Sequence, residues 1–298
     1  MLLAALIWGC SFAAQRLSLA TIGPFLFTGV RFLLGGLVVV TLSHWLTAAR
    51  ARTHPTTPSP KGWPWGPGAL LGVLVVISIS AQQIGLRYTK VANAGFISSM
   101  YVVIVPLFSL LGGQRLRLGI LLGAVSAAVG LYFLSGEHLL LSYGDGLELF
   151  GAVAMSLQMI LIGSYTQRHD PLRLAMIQIA VCSLVSLAVA FAIEPVRWSD
   201  IEHSKLTILY CGGLSVGVAY AIQAIAQKDA IPAHAAIIFG TEGVFAALAG
   251  WLFIGETLTW HAIGGCGLVV LGCVFAQIAP ARRLMSGNSQ ASTPISGK

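Results

Sequence analysis

Glu242, Arg31, Tyr101, Gln82, Gln158 and Trp8 each lie inside a long apolar run, where polar side chains are rare. If such a run crosses a bilayer, a charge at its centre costs at least about 3 kcal/mol, which makes an ionisable residue there a functional candidate by default. Glu242 lies ten residues beyond Pro232. At about 1.5 Å per residue this is roughly 15 Å along a helix, the midplane of a core about 30 Å thick. Two readings stand side by side: an acid hydrogen-bonded to a neighbouring helix, or a carboxylate that binds an amine or carries a proton. Tyr101 sits at a similar depth in another run. Arg31, roughly 10 Å from the end of its helix, either meets a substrate carboxylate or pairs with Glu242 or a backbone carbonyl.

The same residues outline a partly apolar, partly polar pocket. Trp8 and Phe239 are assigned to its apolar wall, and Ser11, Gln82, Gln158, Tyr101 and Tyr220 to its hydrogen bonds. Trp8 is chosen because the other six tryptophans, Trp45, Trp63, Trp65, Trp198, Trp251 and Trp260, fall at the ends of runs, where an indole favours the headgroup level. For Gln82 and Gln158 the competing reading is interhelical hydrogen bonding, worth about 0.6–2 kcal/mol. A pocket of this kind separates substrates weakly, since one methylene is worth about 1–3 kcal/mol. No metal or cofactor is expected. The five cysteines all lie in apolar runs without a CxxC pair, and HExxH and GxxxxGK[ST] are missing. An enzyme is therefore disfavoured, and so is ATP-driven transport by this chain alone.

The elements that must position these groups follow from composition. Of 298 residues 56% are hydrophobic and only 9% charged, against roughly 25% charged in soluble domains. Mean hydropathy is +0.85. Apolar runs fall at 2–20, 24–46, 68–86, 91–111, 117–135, 146–166, 172–193, 206–226, 232–254 and 259–278. They are too long for strands, so the expectation is an all-α integral membrane protein with ten transmembrane helices. With the N-terminus inside, 11 Lys and Arg residues face the cytoplasm and 4 face out, with Arg16 and Arg31 inside helices. Both termini are then cytoplasmic in the cell (inner) membrane. The net charge of +7 belongs to the cytoplasmic loops and needs no nucleic-acid partner.

The two halves resemble each other. Pro24 and Pro171 are 147 residues apart, whereas Gln82 and Gln223, Tyr101 and Glu242, and Gly123 and Gly264 are 141 apart. The difference falls in the Pro-rich segment 48–67. Five helices per unit is an odd number, so the second unit inserts upside down, and such inverted repeats enclose a midplane site in transporters. The expected division is 1–135 for the first repeat, with 48–67 as a cytoplasmic loop, 146–279 for the second, and 280–298 as a cytoplasmic tail. Gly68/Gly72, Gly119/Gly123 and Gly213/Gly217 are GxxxG pairs that allow close helix approach or a dimer face, so the protein is expected as a monomer or weak homodimer. Pro106 is read as a hinge or a tolerated kink.

Several of these strings resemble a known family. Trp8-Gly9-Cys10-Ser11-Phe12 is similar to its W-G-x-x-F opening, and Pro24 with Arg31 to its second helix. Asn93 through Tyr101-Val102-Val103 to Pro106 is similar to its fourth, and Glu242 with Gly255-Glu256 to its ninth helix and G-E turn. The family is the EamA family of the drug/metabolite transporter superfamily. The chain departs from it at Glu242-Gly243, where Glu-Pro is frequent, at Gly113-Gln114-Arg115 and at Met155. The resemblance implies a secondary transporter exporting small metabolites by alternating access. Its YddG-type branch implies amino acids, aromatic and other neutral ones, as the small-molecule substrate. Export of drugs or other metabolites, and an intramembrane enzyme, are the alternatives.

Overall fold

The computed structural model describes residues 1–53, 62–113, 116, 118–135, 142–257 and 259–278, and for 47–53, 134, 135, 277 and 278 the backbone only. Residues 54–61 of the Pro-rich loop 48–67, the tail 280–298 and the pair Gln114–Arg115 lie outside the described residues.

Among the described residues every regular element is helical. The main helices are α1 (Leu2–Ser18), α2 (Pro24–Thr53), α3 (Trp65–Gly85), α4 (Val91–Leu111), α5 (Leu118–Ser135), α6 (Tyr143–Tyr165), α7 (Pro171–Ile193), α8 (Lys205–Gln227), α9 (Pro232–Ile254) and α10 (Trp260–Ile278). A short helix, Trp198–His203, precedes α8. Seven of the main helices are long and apolar enough to cross a membrane, and α1, α5 and α10 carry shorter apolar stretches. The distribution of side chains is that of a multi-pass membrane protein. Leu37, Leu184, Phe191, Leu252 and Phe253 point outward, whereas Arg31, Glu148, Gln158, Gln178, Gln223 and Glu242 are buried.

Local chemistry sets the helix starts. Pro24, Pro171 and Pro232 each open a helix, where a missing N–H costs nothing. Asp170 accepts from the backbone N–H of Leu172 and Arg173, both at 3.0 Å. Ser142 and Asp145 form a reciprocal capping box, which starts α6 at Tyr143 rather than at the expected 146. Two distant acids cap other helices: Glu194 accepts from Phe25 N and Leu26 N at 2.9 and 2.8 Å, and Glu256 from Val91 N and Ala92 N at 2.8 and 3.1 Å. Gly255 has φ +77°, a left-handed turn that glycine adopts without strain, and it turns the chain so that Glu256 reaches the start of α4.

Close packing uses the glycines. On α5, a Cβ at Gly123 would meet the Gly272 carbonyl at 2.7 Å, and one at Gly130 the Gly265 carbonyl at 2.5 Å, so α5 and α10 touch backbone to backbone. Gly68 and Gly72 of α3 lie against Ile177 and Val181 of α7, and Gly217 of α8 against Val38 of α2. These members of the GxxxG pairs are used within the chain. The half-buried Arg16 donates to the Leu86 carbonyl at the end of α3.

Two helices are interrupted. α4 pauses after Ser98 and resumes at Tyr101; α9 pauses after Phe239 and resumes at Glu242. Both pauses are single tightened turns, with Met100 N bonding Ile97 O and Thr241 N bonding Ile238 O. They are 141 residues apart, the offset read in the sequence. Pro106 lies inside the resumed segment of α4, and α9 pauses without a proline, so the proline is not the shared cause. The helices cross near these turns, where a Cβ on Gly240 would overlap Val102 and one on Gly243 would crowd Ser99.

Candidate functional site

A narrow central cavity lies among α1, α2, α3, α4, α6, α8 and α9. α1 contributes Trp8, Ser11, Phe12 and Gln15; α2 contributes Arg31 and Phe32; α3 contributes Ser78, Ile79 and Gln82. The other walls carry Ser98 and Tyr101 from α4, Ala152, Met155 and Met159 from α6, Ser215, Val216 and Tyr220 from α8, and Glu242 from α9.

One side is aromatic and held rigidly. Residues Tyr210–Val218 of α8 form a π-helical stretch, a local feature frequent at functional sites. The Trp8 indole Nε1 donates to the Ser215 carbonyl within that stretch at 3.0 Å, and Tyr210 donates to the Ile7 carbonyl at 3.0 Å. Trp8 meets Tyr220 edge-on at 5.4 Å, Tyr220 meets Phe32 edge-on at 5.9 Å, and Phe239 packs against Trp8 at 5.3 Å. Phe239 is fully buried and stands behind Trp8 rather than on the cavity wall.

Beside the aromatic side lies a cation. Arg31 is 2% exposed, and its guanidinium sits 5.1 Å from the Phe27 ring and 5.6 Å from the Phe32 ring. Its Nε and Nη2 have no hydrogen-bond partner, so neither makes the pairing with Glu242 or a backbone carbonyl that the sequence left open. Glu242 is on another wall, with the Tyr101 hydroxyl within electrostatic reach of its carboxyl. The hydroxyls of Tyr101 and Tyr220 are buried without a hydrogen-bond partner. A buried polar atom left unpaired costs about 1–3 kcal/mol, and several surround this one cavity.

A polar chain leaves the cavity on one side. Gln82 Nε2 donates to Ser98 Oγ at 3.0 Å, and Ser98 Oγ donates to Glu148 Oε2 at 2.9 Å. Glu148 is fully buried on α6, and its Oε1 has no partner. Sequence reasoning misses Glu148, because an acid two residues past the expected helix start at 146 reads as an end residue. It also misses Gln15, Ser78 and Ser98, whose types are unremarkable in a helix bundle. Gln158 is off the cavity wall. It accepts from Gln223 Nε2 at 3.1 Å and donates to Gln178 Oε1 at 3.0 Å, which is the interhelical bonding that stood as the alternative for it.

Among the described residues no group of three or more His, Cys, Asp or Glu side chains could hold a metal. Gly213-Leu214-Ser215-Val216-Gly217 has the Gly-x-Ser-x-Gly spacing of a hydrolase elbow. That elbow needs a strand-to-helix turn, whereas these residues lie within α8. The arrangement can hold a small polar solute by a cation, an acid, hydroxyls and aromatic faces.

The comparisons with known proteins agree on the class. The model of the EamA-like transporter family matches residues 1–136 and again 142–277. An uncharacterised transporter from Archaeoglobus fulgidus is 31% identical over 282 residues, covering 93% of this chain and 84% of the relative. A second uncharacterised transporter from the same organism is 23% identical over 209 residues, covering 70% of this chain and 75% of the relative. A crystal structure superposes with a TM-score of 0.68 at 19% identity, over 92% of this chain and 96% of the other, which speaks for the fold alone. A match in each half of the chain, and a relative this similar along nearly all of it, show that the chain belongs to the EamA-like transporter family.

Proposed function

We propose that this transporter exports amino acids, aromatic and other neutral ones, by alternating access through the central cavity. In this reading ten helices cross the inner membrane as two inverted five-helix repeats, with both termini in the cytoplasm. The observation that carries it is the guanidinium of Arg31, buried on a cavity wall with two unpaired donor nitrogens, in the same cavity as the Glu242 carboxyl. A zwitterion matches that pair of charges, its carboxylate on Arg31 and its ammonium on Glu242. A side chain then lies against Trp8 and Tyr220, with Ser11, Gln82 and Tyr101 offering hydrogen bonds. An aromatic side chain gains offset or edge-on contacts there, about 0.5–1.5 kcal/mol each beyond area burial. Small aliphatic side chains lose only those contacts, which fits broad selectivity. The doubled family match and the equal spacing of the two helix pauses support the repeat.

The test is counterflow in proteoliposomes loaded with unlabelled phenylalanine and presented with labelled phenylalanine. Exchange that is saturable and competed by several neutral amino acids is expected. Competition should be lost when the carboxylate or the amine of the competitor is blocked. Competition by amines and carboxylic acids equal to that by amino acids would refute the zwitterion reading. Exchange of one amino acid with no competition by others would refute broad selectivity.

A further inference from the structure

Gln158, Gln178 and Gln223 are fully buried and joined end to end by hydrogen bonds across α6, α7 and α8. They lie beyond the cavity, toward the end of the bundle where α1, α3, α7 and α9 begin. Gln178 is seven residues past Pro171, and Gln158 seven residues before Tyr165. Next to them, Gln227 Nε2 donates to the Met159 carbonyl at 3.2 Å. A chain of amides in an otherwise apolar interior has no use for the cavity it does not line.

The repeat supplies one. Subtracting 147 from Gln158 and Gln178 leads to Ser11 and Arg31, and subtracting 141 from Gln223 leads to Gln82. Arg31 is seven residues past Pro24, and Ser11 seven residues before Ser18, so the mates lie at matching depths from the opposite end. There the arrangement differs. Ser11, Arg31 and Gln82 all line the cavity. Gln82 bonds Ser98, Ser11 donates to the Trp8 carbonyl at 2.7 Å, and Nε and Nη2 of Arg31 are unpaired. Three positions are hydrogen-bonded to one another at one end, and their three mates line the cavity at the other without bonding one another.

We infer that Gln158, Gln178 and Gln223 form a gate at the end where α1 begins, closed in this structure, and that Ser11, Arg31 and Gln82 are its open counterpart. This rests on the alternating-access reading above. During transport the two triplets exchange roles: the glutamines part, and Gln82 and Ser11 close toward Arg31 behind the bound solute. Arg31 thereby serves both as solute contact and as gate member.

The test needs no solute. Ser78, on the cavity wall, becomes a reporter as Ser78→Cys in sealed vesicles of one known orientation. A membrane-impermeant maleimide is added from either side, and modification is read by mass on the peptide carrying position 78. With the glutamines intact, the reporter reacts from the end where α1 finishes and hardly from the end where α1 begins. Gln223→Leu leaves Gln158 Oε1 without its donor and is expected to raise the second rate at least fivefold while lowering the first. Gln223→Met, closer in shape, serves as the second variant with the same expectation. Gln82→Leu is expected to leave the second rate low. Unchanged rates in both Gln223 variants, or rates raised equally from both sides, overturn the gate: the first means no barrier, the second means loosened packing. If counterflow fails for every amino acid while the reporter behaves as described, the substrate reading falls and the gate stands.

Discussion

Arg31→Met is expected to leave the fold at least as stable while removing solute binding. The guanidinium has two buried nitrogens without partners, costing about 1–3 kcal/mol each, or about 2–6 together. The Phe27 and Phe32 rings at 5.1 and 5.6 Å return about 0.5–2 kcal/mol each. The balance is about 1–2 kcal/mol against the arginine. Methionine has a similar reach, no donor to strand, and a sulfur that keeps about 0.3–1.5 kcal/mol of contact with a ring. Thermal unfolding in detergent measures this, since about 1 kcal/mol moves Tm by roughly 2 °C or slightly more in a chain of this size. The wild type should also gain stability from saturating amino acid, about 2.7 kcal/mol at a hundredfold excess over Kd. Arg31→Met should show a Tm equal or higher by a few degrees, and no shift with amino acid. A fall corresponding to 3 kcal/mol or more would mean that the guanidinium is a structural pillar. A full ligand shift in the variant would remove Arg31 from the site.

Glu242→Gln keeps shape and hydrogen bonding but cannot exchange a proton; transport against pH in liposomes is expected to fall at least tenfold and become flat, and rates and profiles equal to wild type would take Glu242 out of the mechanism. Gly130→Ala should cost about 1–3 kcal/mol by overpacking, because its Cβ meets the Gly265 carbonyl at 2.5 Å; Gly264→Ala, with nothing within 4 Å, should cost little, and Tm in detergent separates the two. Glu256→Ala removes the acceptor for Val91 N and Ala92 N and should cost about 0.5–2 kcal/mol, as loss of a helix cap does; an unchanged Tm would show that the start of α4 is held by packing alone.

What the sequence conveyed best was what depends on spacing along the chain. The helices, the 141-residue offset and the place of Trp8 on the cavity wall follow from counting residues in apolar runs, and the helix pauses appear at mated positions. What it conveyed poorly depends on rotation about a helix axis. Gln158 and Met159 are neighbours in sequence, yet only Met159 lines the cavity. In a helix apolar on all sides no polar stripe marks the inner face, and a difference of about 100° decides between cavity wall and interhelical bond. Phe239 was displaced from the wall for a related reason: it ends the first segment of α9, and the tightened turn that follows changes the face presented by Glu242, three residues on. A deeper limit concerns the paired ends. Gln82 and Gln223 are the same residue type at mated positions, so nothing in either string says which amide is bonded across helices and which faces open space. If the halves form the inverted repeat proposed above, that choice belongs to the conformation. Under the proposed alternating access the chain must keep both arrangements close in energy, so its sequence has to suit each of them.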